Sequence, residues 1–244
     1  MTNYRVDTLE LGTFTTESGE TINNLKLRYE HVGYKGQPLV VVCHALTGNH
    51  LTYGTDEKHG WWREIIDGGY IPRHDYQFLT FNVIGSPFGS SSKLNDPNFP
   101  QHLTLRDIVK AIEKGIKALD FDKINILIGA SLGGMQAMEL LYNNQFQIDK
   151  AIILAATGKT SSYSRAFNEI ARQAIHLGGK EGLSIARQLG FLTYRSSKSY
   201  DQRFTPDEVV TYQQYQGNKF KKNFDLQCYL TLLDVLDSHN KIGR

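Results

Sequence analysis

Ser131 stands in Gly129-Ala-Ser-Leu-Gly133, a Gly-x-Ser-x-Gly pentapeptide. A serine hydroxyl becomes a nucleophile when a base takes its proton and donors receive the charge on the attacked carbonyl. The pattern does that work only on a sharp strand-to-helix turn that holds the serine in a strained, exposed position. The flanking residues meet this condition. Ile124–Ile128 is an apolar run that reads as a buried strand ending at Gly129, and Met135–Tyr142 reads as the helix beyond the turn. The glycines keep side chains out of the tight backbone. The amide of Leu132 and the helix start then face a developing oxyanion. The bare pentapeptide also fits a turn with no chemistry, so the second donor matters.

That donor is expected after Pro38-Leu-Val-Val-Val-Cys43, a continuous apolar run typical of a strand buried on both faces. His44-Ala-Leu-Thr-Gly48 follows directly, and the amide of Leu46 is the candidate second donor. An ordinary loop bending at Gly48 is the competing reading. Cys43 and His44 do not form a catalytic pair, because adjacent residues on an extended segment point to opposite faces. Cys43 reads as a small core residue.

The remaining elements must position these groups. Tyr4–Phe14 and Leu25–Val32 alternate as two antiparallel strands around a turn at Glu17–Glu20. Asn49–Asp75 is loop-rich, and its Trp61-Trp62 pair either walls a substrate site or anchors the loop on the core. Tyr76–Val83 is a further strand, followed by a long irregular loop over Ile84–Pro100. Thr104 caps a helix over Leu105–Leu119, with Ile108, Ile112, Ile116 and Leu119 at helical spacing. Lys150–Ala156 reads as one more buried strand. Beyond it come helices only: Ser164–Gly178, Lys180–Leu189, Thr205–Phe220 and Asp225–Asp237. The order predicts an α/β fold, a doubly wound, mostly parallel sheet with a helical cap. Residues 1–157 form the core and 158–244 the cap or lid.

The 244 residues, 40% apolar and 21% charged, suffice to bury a core. A net charge of +2 without a basic block gives no reason to expect nucleic acid or a membrane surface. Two cysteines make no disulfide framework, and the N-terminus lacks a signal-peptide core, so a cytoplasmic location is expected. The histidine spacings give no metal site. No Gly-x-Gly-x-x-Gly turn follows a strand, so no nicotinamide or flavin cofactor is expected.

Seven segments together resemble the homoserine O-acyltransferase family of α/β-hydrolase-fold enzymes. They are Cys43–Gly48, Gly60-Trp-Trp62, Asn82-Val-Ile-Gly85, Thr104-Leu-Arg-Asp107, Gly129–Glu139, Ala166–Gln173 and Leu192-Thr-Tyr-Arg195, in the family's order over nearly the whole chain. The resemblance implies transfer of an acetyl group from acetyl-CoA, a substrate rather than a cofactor, to the hydroxyl of L-homoserine on the way to methionine. Ser131 matches the nucleophile, and Leu46 and Leu132 match the oxyanion amides. Arg187 matches the arginine that grips the homoserine carboxylate, a task suited to a planar guanidinium. The resemblance also implies a homodimer through the cap helices. Succinyl-CoA as donor, serine as acceptor, or plain ester hydrolysis are the neighbouring alternatives. A non-catalytic α/β scaffold is the alternative from another class.

The chain departs from the family at its end. The α/β-hydrolase order is Ser, then Asp or Glu, then His, and the last two should lie beyond the cap. Asp237-Ser-His-Asn-Lys-Ile-Gly-Arg244 resembles the family's cap-to-core junction, so neither Asp237 nor His239 is assigned to the triad. The triad Asp and His are expected to be absent from this chain, and with them the last core strands. Lys150–Ala156 then becomes an exposed apolar edge. A chain of this kind is expected to be poorly soluble or inactive alone.

Overall fold

In the computed structural model, which describes residues 3–241, the apolar runs become the inner strands of a six-stranded sheet. Its strands are β1 (Tyr4–Glu10), β4 (Lys26–Val32), β5 (Leu39–Cys43), β6 (Gln77–Phe81), β7 (Lys123–Ala130) and β8 (Gln147–Leu154). The spatial order is β1-β4-β6-β5-β7-β8. β1, β4 and β6 pair antiparallel, whereas β6, β5, β7 and β8 run parallel. From β5 the chain first adds β6 on one side, then crosses back to add β7 on the other. Open α/β sheets bind ligands at such a reversal, outside the carboxyl ends of the strands. Here that place lies between the ends of β5 and β7.

The sheet is covered on both faces. Val40, Val42, Val32, Phe78 and Ile128 form a core with Tyr53 and Ile66, and Trp62 packs against it. Trp61 donates its indole N–H to the Asn49 carbonyl at 3.1 Å, so the tryptophan pair pins the long loop on the core. On the other face, α2 (Leu105–Ala118) lies flush on the sheet. A Cβ on Gly115 would stand 2.6 Å from Leu27 and 2.8 Å from Phe81. Thr104 and Asp107 cap that helix reciprocally, which fixes its start where the sequence places it.

Four features differ from the sequence expectation. The stretch Tyr4–Phe14 breaks at Gly12 (φ 66°), and Phe14–Thr15 pairs instead with Thr21–Ile22 as the small hairpin β2–β3. Two short helices are additional, α1 (Arg63–Asp67) and α5 (Ser197–Arg203). The strand expected over Lys150–Ala156 is β8, which starts earlier, at Gln147, and is the exposed edge anticipated for that stretch. Ile152 is 40% and Leu154 47% exposed among the described residues.

The fourth difference is the domain boundary. Two units emerge, one from Met1–Lys159 with Asp234–Arg244, the other from Thr160–Leu233. The segment after Asp234, expected in the cap, belongs with the core unit. Lys159 bridges to Asn240, His239 Nε2 donates to the Thr157 carbonyl at 2.8 Å, and Lys241 Nζ lies 2.5 Å from the buried Glu139 carboxylate. Residues 242–244 of the expected junction lie outside the described residues.

The second unit is helical. It holds α4 (Ser162–Thr193), α5, α6 (Pro206–Asn223) and most of α7 (Leu226–Asp237). α4 is two helices joined at Gly179, matching the break expected between Gly178 and Lys180. α6 approaches α4 so closely that a Cβ on Gly217 would meet the Ser184 carbonyl at 2.7 Å.

Candidate active site

β7 runs into α3 (Leu132–Asn143) through Ser131, whose φ of 54° and ψ of −123° are outside the regions open to most L-residues. Its neighbours leave little alternative. A Cβ on Gly129 would stand 2.1 Å from the Gly133 carbonyl oxygen, and one on Gly133 would stand 2.0 Å from that of Cys43. A Cβ on Gly134 would meet Ala156 at 2.6 Å. Gly129 and Gly133 admit backbone, and Gly134 admits the Ala156 methyl, where a side chain would stand. The Ser131 amide donates to the Leu154 carbonyl at 2.9 Å, tying the turn to the end of β8.

Among the described residues, the hydroxyl makes no capping bond. Thr104, Ser161, Ser196 and Thr205 sit at helix N-caps and accept a backbone N–H in the usual way. Ser131 occupies the same position before α3, is exposed, and makes no such bond. The first-turn amides of α3 therefore keep their donors for another acceptor.

Leu46 is half-buried in the loop after β5, and that loop is fastened to α3. Gln136 Nε2 donates to the His44 carbonyl at 3.1 Å, beside the near-contact of Gly133 with Cys43. Leu132 is buried at the first position of α3. Candidate nucleophile and both candidate amides thus lie on segments that meet at the ends of β5 and β7.

Cys43 and His44 are not reactive. Burial pushes the Cys43 thiol up to about 12 and the His44 imidazole down to about 4. His44 Nδ1–H donates to the Ala45 carbonyl at 2.8 Å, and Nε2 accepts the Val83 N–H at 3.1 Å. Sequence reasoning set His44 aside as a base but missed these bonds, since Val83 lies 39 residues away.

His239 is buried, lowered by desolvation, and lines a polar cavity of about 180 Å³ with Glu17, Arg106 and Glu139. No histidine or carboxylate among the described residues hydrogen-bonds to the Ser131 hydroxyl, and none of them form a group able to hold a metal.

Arg187 lies in the helical unit, in the second half of α4. Its guanidinium carbon is 4.5 Å from the Phe191 ring centroid and 4.8 Å from that of Phe220, and Nη1 donates to the Tyr194 hydroxyl at 3.4 Å. The aromatic cradle orients the guanidinium plane.

The α/β-hydrolase fold family matches residues 38–177. A homoserine O-acetyltransferase from Thermus thermophilus is 32% identical over 95% of this chain and 70% of that protein. A crystal structure of homoserine O-acetyltransferase from Staphylococcus aureus is similar at 84% identity and a TM-score of 0.96, over 98% of this chain and 73% of that one. The chain belongs to the homoserine O-acetyltransferase family. It is an acyltransferase on an α/β-hydrolase fold, as the resemblance implied. The family's relatives include a homoserine O-succinyltransferase from Hahella chejuensis, 32% identical over 91% of this chain and 70% of that protein. Esterase E22, at 19% identity and a TM-score of 0.78, shares the fold.

Proposed function

We propose that this homoserine O-acetyltransferase-family chain moves an acetyl group from acetyl-CoA to the hydroxyl of L-homoserine through an acyl-Ser131 intermediate. The observation that carries the reading is the Ser131 hydroxyl, exposed on a strained turn and withheld from the capping bond that its position invites. Ser131 attacks the thioester carbonyl, the Leu46 and Leu132 amides stabilise the oxyanion, and CoA leaves as the thiol. The homoserine hydroxyl then attacks the acyl-serine, giving O-acetylhomoserine and free Ser131. Arg187 holds the homoserine carboxylate in this reading, on its resemblance and its chemistry. Two steps at one serine give ping-pong kinetics.

None of the described histidines is bonded to the hydroxyl. Succinyl-CoA is the second reading, favoured by the succinyltransferase among the relatives. The test presents both acyl-CoAs with L-homoserine and L-serine. O-acetylhomoserine as the dominant product, with parallel double-reciprocal lines, supports the proposal. Succinyl product transfers it to the second reading, and acetate released independently of acceptor makes the chain a hydrolase.

Two further proposals concern its setting. Tyr163, Leu177, Ile185 and Val210 expose apolar surface on the helical unit, which fits a homodimer through these helices, checked by sedimentation. No helix among the described residues is long and apolar enough to cross a membrane, and Cys43 and Cys228 are free thiols, which suits the cytoplasm.

A further inference from the structure

We infer that His44 is a positioning residue for the oxyanion amide of Leu46, acting as a fixed, neutral clamp rather than as an acid or base. The inference rests on the reading that this amide receives the oxyanion.

A carbonyl only accepts, so the bond from His44 Nδ1 to the Ala45 oxygen at 2.8 Å places the proton on Nδ1. Nε2 then carries the lone pair and accepts the Val83 N–H at 3.1 Å. Only the neutral Nδ1–H tautomer satisfies both partners. The ring is fully buried, which opposes the charged form that would break the bond to Val83.

The Ala45 carbonyl is the important partner. It also accepts the Gly48 N–H at 2.9 Å, closing a turn over Ala45–Gly48. A peptide group is planar, with its C=O and N–H antiparallel. Two donors holding the Ala45 oxygen therefore set the direction of the Leu46 N–H, on the opposite side of the same plane. One of those donors belongs to the turn itself. The other, His44, carries the setting from outside it. The His44 main chain is gripped by Gln136 of α3 at 3.1 Å, and its ring is gripped by the loop after β6. One residue thereby references the Leu46 amide to the nucleophile helix and to the sheet at once. Preorganised donors are effective because they need no reorientation as charge develops.

The experiment compares the full chain with His44→Leu, His44→Asn and Ser131→Ala. The Asn side-chain amide reproduces the Nδ1–H donor and lacks the Nε2 acceptor. Two readouts are taken: kcat and KM for acetyl transfer to L-homoserine, and amide spectra of ¹⁵N-leucine-labelled protein before and after Ser131 is modified by a p-nitrophenyl phosphonate. Losing an oxyanion donor outright costs about 10²–10³ in kcat, so His44→Leu is expected to lower kcat by about 10- to 100-fold with KM unchanged. His44→Asn should recover most of that loss. In the spectra, modification should move the Leu46 and Leu132 amides downfield in the parent chain, and only Leu132 in His44→Leu.

An unchanged kcat in His44→Leu overturns the inference. So does a His44→Asn variant no better than His44→Leu, which would make the ring mere packing. Failure of the underlying reading looks different. Transfer retained in Ser131→Ala, or a parent Leu46 amide that ignores phosphonylation while Leu132 responds, removes the acyl-serine or the Leu46 assignment whatever His44 does.

Discussion

Ser131 and Gly179 have nearly the same backbone conformation, φ 54° with ψ −123° and φ 54° with ψ −122°. They reach it in opposite ways. At Gly179 the residue itself permits the geometry, and a Cβ there would meet nothing within 4 Å. At Ser131 a β-carbon is present, and the surroundings impose the geometry through Gly129, Gly133, Gly134 and the bond to Leu154. Strain of this kind persists only where the rest of the structure over-determines it. One site is a helix break between two halves of α4; the other holds in place the hydroxyl proposed to carry the acyl group.

The largest effect should come from removing what imposes the geometry. Gly133→Ala sets a methyl 2.0 Å from the Cys43 carbonyl, and the backbone must move. The expected loss is about 3 kcal/mol or more in urea unfolding, with acyl transfer abolished. If that variant melts like its parent and still turns over, the close approach of α3 to β5 is not holding the serine.

The second prediction uses acid. In the folded chain His44 titrates near 4 against an ordinary value of 6.5, because burial disfavours its charge. Between those values the unfolded chain binds the additional proton. Its contribution is therefore complete above pH 6.5 and is lost as pH falls toward 4, about 3 kcal/mol at the limit. Urea midpoints of the parent and of His44→Asn, measured from pH 7 to 4.5, should converge as pH falls. Parallel curves would mean that His44 is not the group being protonated.

A smaller effect is expected in the helical unit. Gly179→Ala gains no clash but inherits the unfavourable φ, at about 1–3 kcal/mol. Its kcat should stay within about twofold, since only stability is taxed. A large kcat loss with unchanged stability would show the break to be part of the chemistry. The smallest effect has the opposite sign. Ser131→Gly relieves strain and should raise stability by about 1 kcal/mol, after the entropy of glycine is subtracted, while transfer is lost. A destabilised Ser131→Gly would mean that the serine rests comfortably.

Both regions of the comparison were legible in the sequence, for different reasons. Gly178-Gly179 marks a break by its own composition. Gly129, Gly133 and Gly134 mark the other turn because neighbouring backbone, or at Gly134 the Ala156 methyl, approaches so near that only glycine fits. Thr104 announced α2 in the same local way, though not its reciprocal bond with Asp107. What escaped depends on distant partners. An apolar run such as Lys150–Ala156 states that a strand exists, not that pairing with β7 extends it back to Gln147. The short α1 and α5 have too few turns for periodicity to register. The role of His44 needs Val83 and Gln136, on other elements, and no local pattern announces them. The return of Asp234–Lys241 to the core unit likewise rests on Thr157 and Glu139, far away in sequence.

The central claim is that the Ser131 oxygen carries the acyl group. The most direct measurement is mass spectrometry of the chain mixed with acetyl-CoA alone and then with L-homoserine added. The account predicts an acetyl group on the peptide holding Ser131, accumulating without acceptor and discharged as O-acetylhomoserine when acceptor arrives. An unmodified Ser131 while product forms, or an acetyl group that homoserine does not remove, would contradict it.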